Sequence, residues 1–282
     1  MIFHEGRGTQ PCPFSFASFP LFAPLHLPPY KCPMPELSRL EISGLVARLT
    51  LNRPDVRNAL SIDLLNSLID QIEPLRQRED LNVLILCGEG KSFCAGMDLK
   101  AVLDSPGDSH KLLFLLADFT LRFRSLPFVT VARVQGAAIG GGCGVACVAD
   151  ICLSHADAKL GFPEVDMGVC PAVVAPWLVK KIGAGPARRV LLTGGLMSGA
   201  QAHHIGIVDI LTPDLAALGP ACDDLSKRLS GAGGFALRRT KELLNTIDGS
   251  LDQSLVLEGA KLSARVVQSP EAQALLRAKL SG

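Results

Sequence analysis

The chain carries almost no net charge. Its 28 Lys and Arg offset 27 Asp and Glu to leave +1. No basic cluster gathers that charge in one place, so the electrostatic footprint of a nucleic-acid binder is missing. Long apolar runs are missing too. Although 48% of the residues are hydrophobic, Arg133, the glycines after it and Asp150 interrupt the greasiest region. It never reaches the roughly 18 residues of a membrane span. Neither a G-K-S/T phosphate loop nor a G-x-G-x-x-G fingerprint is present. The nine cysteines have no zinc spacing: Cys143, Cys147 and Cys152 read C-x3-C-x4-C, with no His at ligand distance. In a chain of 282 residues they do not form a secreted disulfide framework either. They read as small buried residues in a reducing, cytoplasmic setting, with no metal site.

What is present divides into three stretches. Residues 1–33 are rich in Pro and Phe, without helical or strand period and without the basic start and apolar core of a secretory signal. Met34 stands directly before the first patterned segment, so 1–33 reads as a disordered leader or a mis-called start. From Leu40 the pattern becomes regular. Leu45, Ala47, Leu49 and Leu51 alternate as in a half-buried strand, after a turn at Ser43-Gly44. Leu64, Leu65, Leu68, Ile72 and Leu75 follow at helical spacing, with Ser61 as N-cap. "NVLILCG" and "FVTVARVQG" are continuous apolar runs, which suit strands buried on both faces. Strands alternating with helices predict an α/β core over 34–214. Beyond about residue 215 only amphipathic helices remain, so 215–282 reads as a separate helical region.

Two glycine-bearing loops stand where strands end: "GKSFCAGMDLK" (90–100) and "QGAAIGGGCGV" (135–145). Glycine lets backbone approach a ligand, and unpaired N–H groups cluster at such strand-to-helix joints. Two such loops can converge on one oxygen and stabilise the charge that develops when a thioester becomes an enolate. Some twenty residues on, "GFPEVDMGV" sets Glu164 among Phe162, Pro163, Val165 and Met167. Burial there predicts a carboxyl pKa raised toward neutrality, as a base that also returns a proton needs.

These segments, with "LNRPDVRNALS" before them and "VLLTGGLMSGAQAHHIGIVD" after, closely resemble the enoyl-CoA hydratase/isomerase (crotonase) family from about Leu37 onward. The resemblance implies an α/β, crotonase-like (ClpP/crotonase) spiral of β-β-α repeats with a C-terminal helical oligomerisation region. It implies a trimer or a hexamer of paired trimers, and an acyl-CoA thioester substrate. Coenzyme A then enters as part of the substrate, with no separate cofactor. Position by position, the resemblance makes Met97 and Gly141 the oxyanion N–H donors and Glu164 the catalytic residue. Val56, Arg57 and Ala59, with Ala95, Asp98 and Leu99, fall on the coenzyme A cleft. Arg57 and Lys100 are the basic residues best placed for its phosphates. Gly140, Gly144 and Pro163 complete the substrate set.

One position departs from the family's pattern. Typical hydratases of the family carry a second glutamate three residues after the middle glycine, where this chain has Gly144. A single carboxylate suits double-bond isomerisation, in which one base moves a proton along the acyl chain. A one-glutamate hydratase of the methylglutaconyl-CoA type, a decarboxylase or lyase, and a scaffold without turnover stay open. Asp166, the nearest spare carboxylate, reads as solvent-facing. The family's E-G-L-x-A-F tail is replaced by "QALLRAKLSG", which predicts a short last helix. The segment "AVLDSPGDSHKLLFLL" is expected to set the depth of the acyl pocket.

Overall fold

The computed structural model describes residues 36–98, 102–103 and 107–280. The leader expected over 1–33 lies outside the described residues, as do Leu99 and Lys100 of the expected coenzyme A cleft.

Among the described residues, nine strands form two sheets. The larger contains β1 (Ser38–Ser43), β2 (Val46–Leu51), β3 (Val83–Gly88), β4 (Val129–Val134), β6 (Ile151–His155) and β9 (Ile210–Thr212), side by side in that order. Only β1 is antiparallel to its neighbour. The smaller sheet orders β5 (Ala137–Ile139), β7 (Lys159–Gly161) and β8 (Leu196–Ser198). The chain thus alternates sheets: β4 leads into β5, and β6 into β7. Each pair is followed by helix: α3 (Gly141–Val148) after the first, α4 (Ala175–Ile182) and α5 (Ala184–Thr193) after the second. This is the expected β-β-α spiral.

The continuous apolar strands are covered on both faces, which is why they do not alternate with polar residues. In β3, Leu84 and Leu86 face the main core with α1 (Ile62–Ile72) and α2 (Asp108–Arg124). Val83 and Ile85 face the opposite layer, where Leu218, Cys222 and Leu225 of α7 (Leu215–Ser230) close over them. The expected burial of Ala47, Leu49 and Leu51 in β2 holds, but the turn before it is displaced by one residue. Ser43 pairs with Val46, so the hairpin turn is Gly44-Leu45, with Gly44 at φ +58° and Leu45 42% exposed. Ser61 does cap α1, its Oγ accepting from Leu64 N at 3.2 Å.

The C-terminal helices α8 (Gly234–Ile247), α9 (Ser254–Val267) and α10 (Pro270–Leu280) pack directly on the core. Lys241 of α8 reaches inside to Asp150 at 2.7 Å. Burial would raise the Asp150 carboxyl, but Lys241, the Thr130 N–H and Arg124 override it and hold the pKa below its ordinary value. On α9, a Cβ built on Gly259 would fall 2.2 Å from the Ala172 carbonyl oxygen. Ser263 Oγ donates to Cys170 O at 2.7 Å and accepts from Ala172 N at 3.1 Å. That helix therefore sets the path of residues 170–173. Gly259→Ala is expected to cost roughly 1–3 kcal/mol through overpacking against backbone, read as a lowered melting temperature. An unchanged melt would show that α9 does not fix this segment.

Candidate active site

The site begins with the backbone path of residues 94–98. Leu60 N donates to Gly96 O at 2.7 Å, and Asp98 N donates to Leu60 O at 3.0 Å. In this parallel pairing Leu60 uses both neighbours of Met97, so Met97's own N–H faces away from it. Cys94 pairs with Ala138 on the other side in the same manner, through Cys94 N to Ala137 O and Ile139 N to Cys94 O, both 3.0 Å. The first loop is thereby stitched to the entrance of the second.

There α3 starts, and each of three consecutive glycines has its own reason. Gly140 has φ +53°, and a Cβ on it would lie 2.7 Å from Glu164 Oε1. Gly141 opens the helix. A Cβ on it would lie 3.9 Å from Met97 N, so the two amides are close neighbours. A Cβ on Gly142 would fall 2.5 Å from the Cys94 carbonyl oxygen, so glycine lets the helix rest on the first loop. The first bond along α3 runs from Gly144 N to Gly140 O, 2.9 Å, leaving the N–H groups of the first turn without helical acceptors. Among the described residues, neither Met97 N–H nor Gly141 N–H meets an acceptor. Two unspent donors, one at the positive end of a helix, are what a developing oxyanion requires.

Glu164 follows β7 and Phe162, whose N–H is held by Gly195 O at 3.2 Å. Its backbone carbonyl accepts from Met167 N and Val169 N, at 3.0 and 2.9 Å, so a tight turn aims the side chain. Among the described residues, its Oε2 is buried without a hydrogen-bond partner. Burial pushes the carboxyl up from its ordinary 4.5 to about 7. Asp166 is exposed and accepts from Gly195 N at 2.9 Å; it braces the 194–195 turn rather than serving the site.

A cavity of about 60 Å³ joins these parts, and its wall includes Ala95, Met97, Gly140, Gly141, Pro163 and Glu164. Leu113 and Leu116 of α2 close one side; Cys170, Val173 and Val174 close another, with Ser263 of α9 among them. Burial pushes the Cys170 thiol up from its ordinary value. The cysteines Cys143, Cys147 and Cys152 are buried free thiols away from this wall.

Several residues of the expected substrate and coenzyme A set lie outside this cavity wall. Gly144 does not line the cavity. A Cβ there would fall 2.1 Å from Val174 Cγ1, so the valine lies across it. Val56, Arg57, Ala59 and Asp98 do not line it either. The 56–59 segment adjoins it through Ala95 N, which donates to Arg57 O at 2.9 Å. Two residues of the wider 53–59 stretch were not singled out from the sequence, yet they hold the first loop in place. Arg53 bonds Ala59 O at 2.5 Å and pairs with Asp98 at 3.3 Å. Asn58, buried and at φ +56°, donates to Glu89 O and Ser92 O at 3.0 and 2.9 Å. Nothing local in the sequence marked either residue, since Arg53 reaches Asp98 and Asn58 reaches Glu89 and Ser92, all 31 to 45 residues away.

Comparison with known proteins bears on the sequence pattern and the fold. The family model for enoyl-CoA hydratase/isomerase matches residues 41–270. A Thermus thermophilus protein bearing the enoyl-CoA hydratase name is 34% identical over 211 residues, 73% of this chain and 83% of the relative. An enoyl-CoA isomerase/hydratase of Mycosarcoma maydis is 32% identical over 215 residues, 72% of this chain and 78% of the relative. The crystal structure of an enoyl-CoA hydratase from Bacillus halodurans superposes with a TM-score of 0.79 at 24% identity, covering 86% of this chain and 99% of that one.

Proposed function

The chain belongs to the enoyl-CoA hydratase/isomerase family, and from that premise we propose that it moves a double bond within an enoyl-CoA, using Glu164 as its one proton shuttle. The thioester oxygen sits between the N–H groups of Met97 and Gly141. Glu164 takes a proton from the carbon next to the thioester, and the electron pair passes into the enolate oxygen held by the two donors. The carboxylic acid then returns the proton two carbons further along, leaving the double bond conjugated with the thioester. The coenzyme A arm runs over Val56, Arg57 and Ala59 and along Ala95 and Asp98.

One observation carries this reading: Glu164 is the only carboxylate among the described residues of the cavity wall. A pKa of about 7 suits a group that must accept and release a proton at neutral pH. A second reading, hydration by the same single carboxylate, draws on the hydratase name of the Thermus relative. Purified protein assayed on 3-enoyl- and 2-enoyl-CoA separates the two. Isomerisation builds the absorbance of the conjugated thioester, whereas hydration removes it. Faster loss from the 2-enoyl substrate than gain from the 3-enoyl substrate overturns isomerisation. Binding of coenzyme A without turnover of either substrate favours a scaffold.

Assembly belongs to the same proposal. Phe235 and Ile247 on α8 are 67% and 72% exposed, and Leu255 on α9 is 63% exposed, an apolar stripe that a trimer would cover. Truncation from Ser250 would also strip Val256, Ala260 and Ser263 from the core, so a surface substitution tests the point better. Ile247→Glu is expected to leave the melt of the fold intact and to yield monomer by light scattering. A trimeric Ile247→Glu protein would place the interface elsewhere.

A further inference from the structure

Val174 stands at the junction of the 169–174 segment and α4. Its N–H donates to Pro171 O at 3.2 Å, and its carbonyl accepts from Leu178 N at 3.1 Å. The side chain is 2% exposed and faces two things at once. It lines the cavity that holds Glu164, and it covers Gly144 so closely that a Cβ built there would meet Val174 Cγ1 at 2.1 Å and Cβ at 2.4 Å.

Gly144 lies one helical turn from Gly140, the residue against which Glu164 Oε1 rests. The notch over Gly144 is therefore the place from which α3 would present a side chain beside Glu164. Val174 fills it with methyl groups. A water held there would need two to four polar partners, and the valine offers none. The position of Val174 is itself imposed by α9, through the Ser263 hydrogen bonds to Cys170 and Ala172 and the close approach at Gly259.

We propose that Val174 is the residue that decides the reaction: by filling the notch over Gly144 it keeps a second polar group and an attacking water away from Glu164, so that the enolate is reprotonated along the acyl chain and no water adds to the β-carbon of the conjugated thioester. This rests on the proton-shuttle reading above. Val174 acts as a specificity-determining wall and takes no part in proton transfer.

The experiment has a substrate-free arm and a product arm. In the first, thermal melts are compared for wild type, Gly144→Ala, Val174→Ala, Val174→Gly and the two double variants. Gly144→Ala is expected to lower the melting temperature in the wild-type background. Val174→Gly should relieve most of that loss and Val174→Ala less, because the alanine retains the Cβ 2.4 Å from the built one. Losses that simply add, without coupling, overturn the packing half of the proposal. In the second arm, the folded Val174→Ala and Val174→Gly proteins are assayed on 3-enoyl- and 2-enoyl-CoA. The ratio of hydration to isomerisation is expected to rise by about tenfold or more, the equivalent of one decade in relative barrier. Gly144→Glu combined with Val174→Gly should raise it further. An unchanged ratio in a folded Val174 variant, with wild type still isomerising, overturns the proposal and leaves the proton-shuttle reading standing. Wild type that fails to isomerise overturns that reading instead, while the melts still decide whether Val174 fills the notch.

Discussion

Glu164→Gln is expected to lower turnover by on the order of 10³-fold, within the range lost when a positioned acid–base group is removed, while binding of the acyl-CoA stays nearly unchanged. Gln keeps the shape of the side chain but cannot take a proton from carbon. The wild-type rate should rise with pH through about 7 and level off above it, since only the carboxylate is a base and burial places its pKa there. The same burial predicts an effect on stability. The folded pKa lies above the unfolded one, near 4.5, so the folded state holds the proton more tightly. Stability then falls as pH rises from about 4.5 to about 7, by a total of roughly 3 kcal/mol. Glu164→Gln does not titrate in that window. Relative to wild type, the variant should therefore be more stable at pH 8 than at pH 4. Melts at the two pH values that keep the same difference would show that Glu164 is not held in a desolvated site. Turnover comparable to wild type would remove it from the mechanism.

Glu164 was legible in the sequence because a lone carboxylate among Phe162, Pro163, Val165 and Met167 breaks the local pattern. Its opposite number was not. Val174 is a valine beside other apolar residues at the start of a helix, and nothing local separates a cavity wall from ordinary core. Ser263 lies about a hundred residues beyond Glu164, and only the packing of α9 against residues 170–173 brings it to the cavity. The strands were legible for a related reason. Burial on both faces writes a continuous apolar run, whatever the neighbours are. Helix starts were less so. The stretch "SLDQSLVLEGAKLSARVV" is amphipathic from Ser250, yet α9 begins at Ser254. Asp248 and Asp252 turn their carboxylates onto the N–H groups two residues ahead, at 2.8 and 2.9 Å. Such local bonds compete with the helix for the same donors. The expected role of the late helices as an assembly region also omitted their inward work. Ala272 and Leu276 of α10 are buried, and a Cβ on Gly168, just beyond the Glu164 turn, would lie 3.0 Å from Leu275.

The oxyanion donors are backbone groups, so side-chain replacement at Met97 leaves its N–H in place and is a poor probe. Gly141 allows a direct test. Gly141→Pro removes the N–H and puts a ring carbon where it pointed. Proline suits the first position of a helix otherwise, because that N–H has no helical acceptor to lose. The expected loss in turnover is on the order of 10²–10³, the scale for one oxyanion donor. Crowding must be separated from the missing donor. A Cβ at this position would meet Leu60 Cδ1 at 3.2 Å and Leu116 Cδ2 at 3.4 Å, both flexible ends that can yield by a few tenths of an ångström. Gly141→Ala shares that crowding but keeps its N–H, so it should retain most of the wild-type rate with the same acyl-CoA affinity. The gap between the alanine and proline variants then measures the donor itself. Equal losses in both would mean that the leucine contacts, and not the amide, make Gly141 necessary.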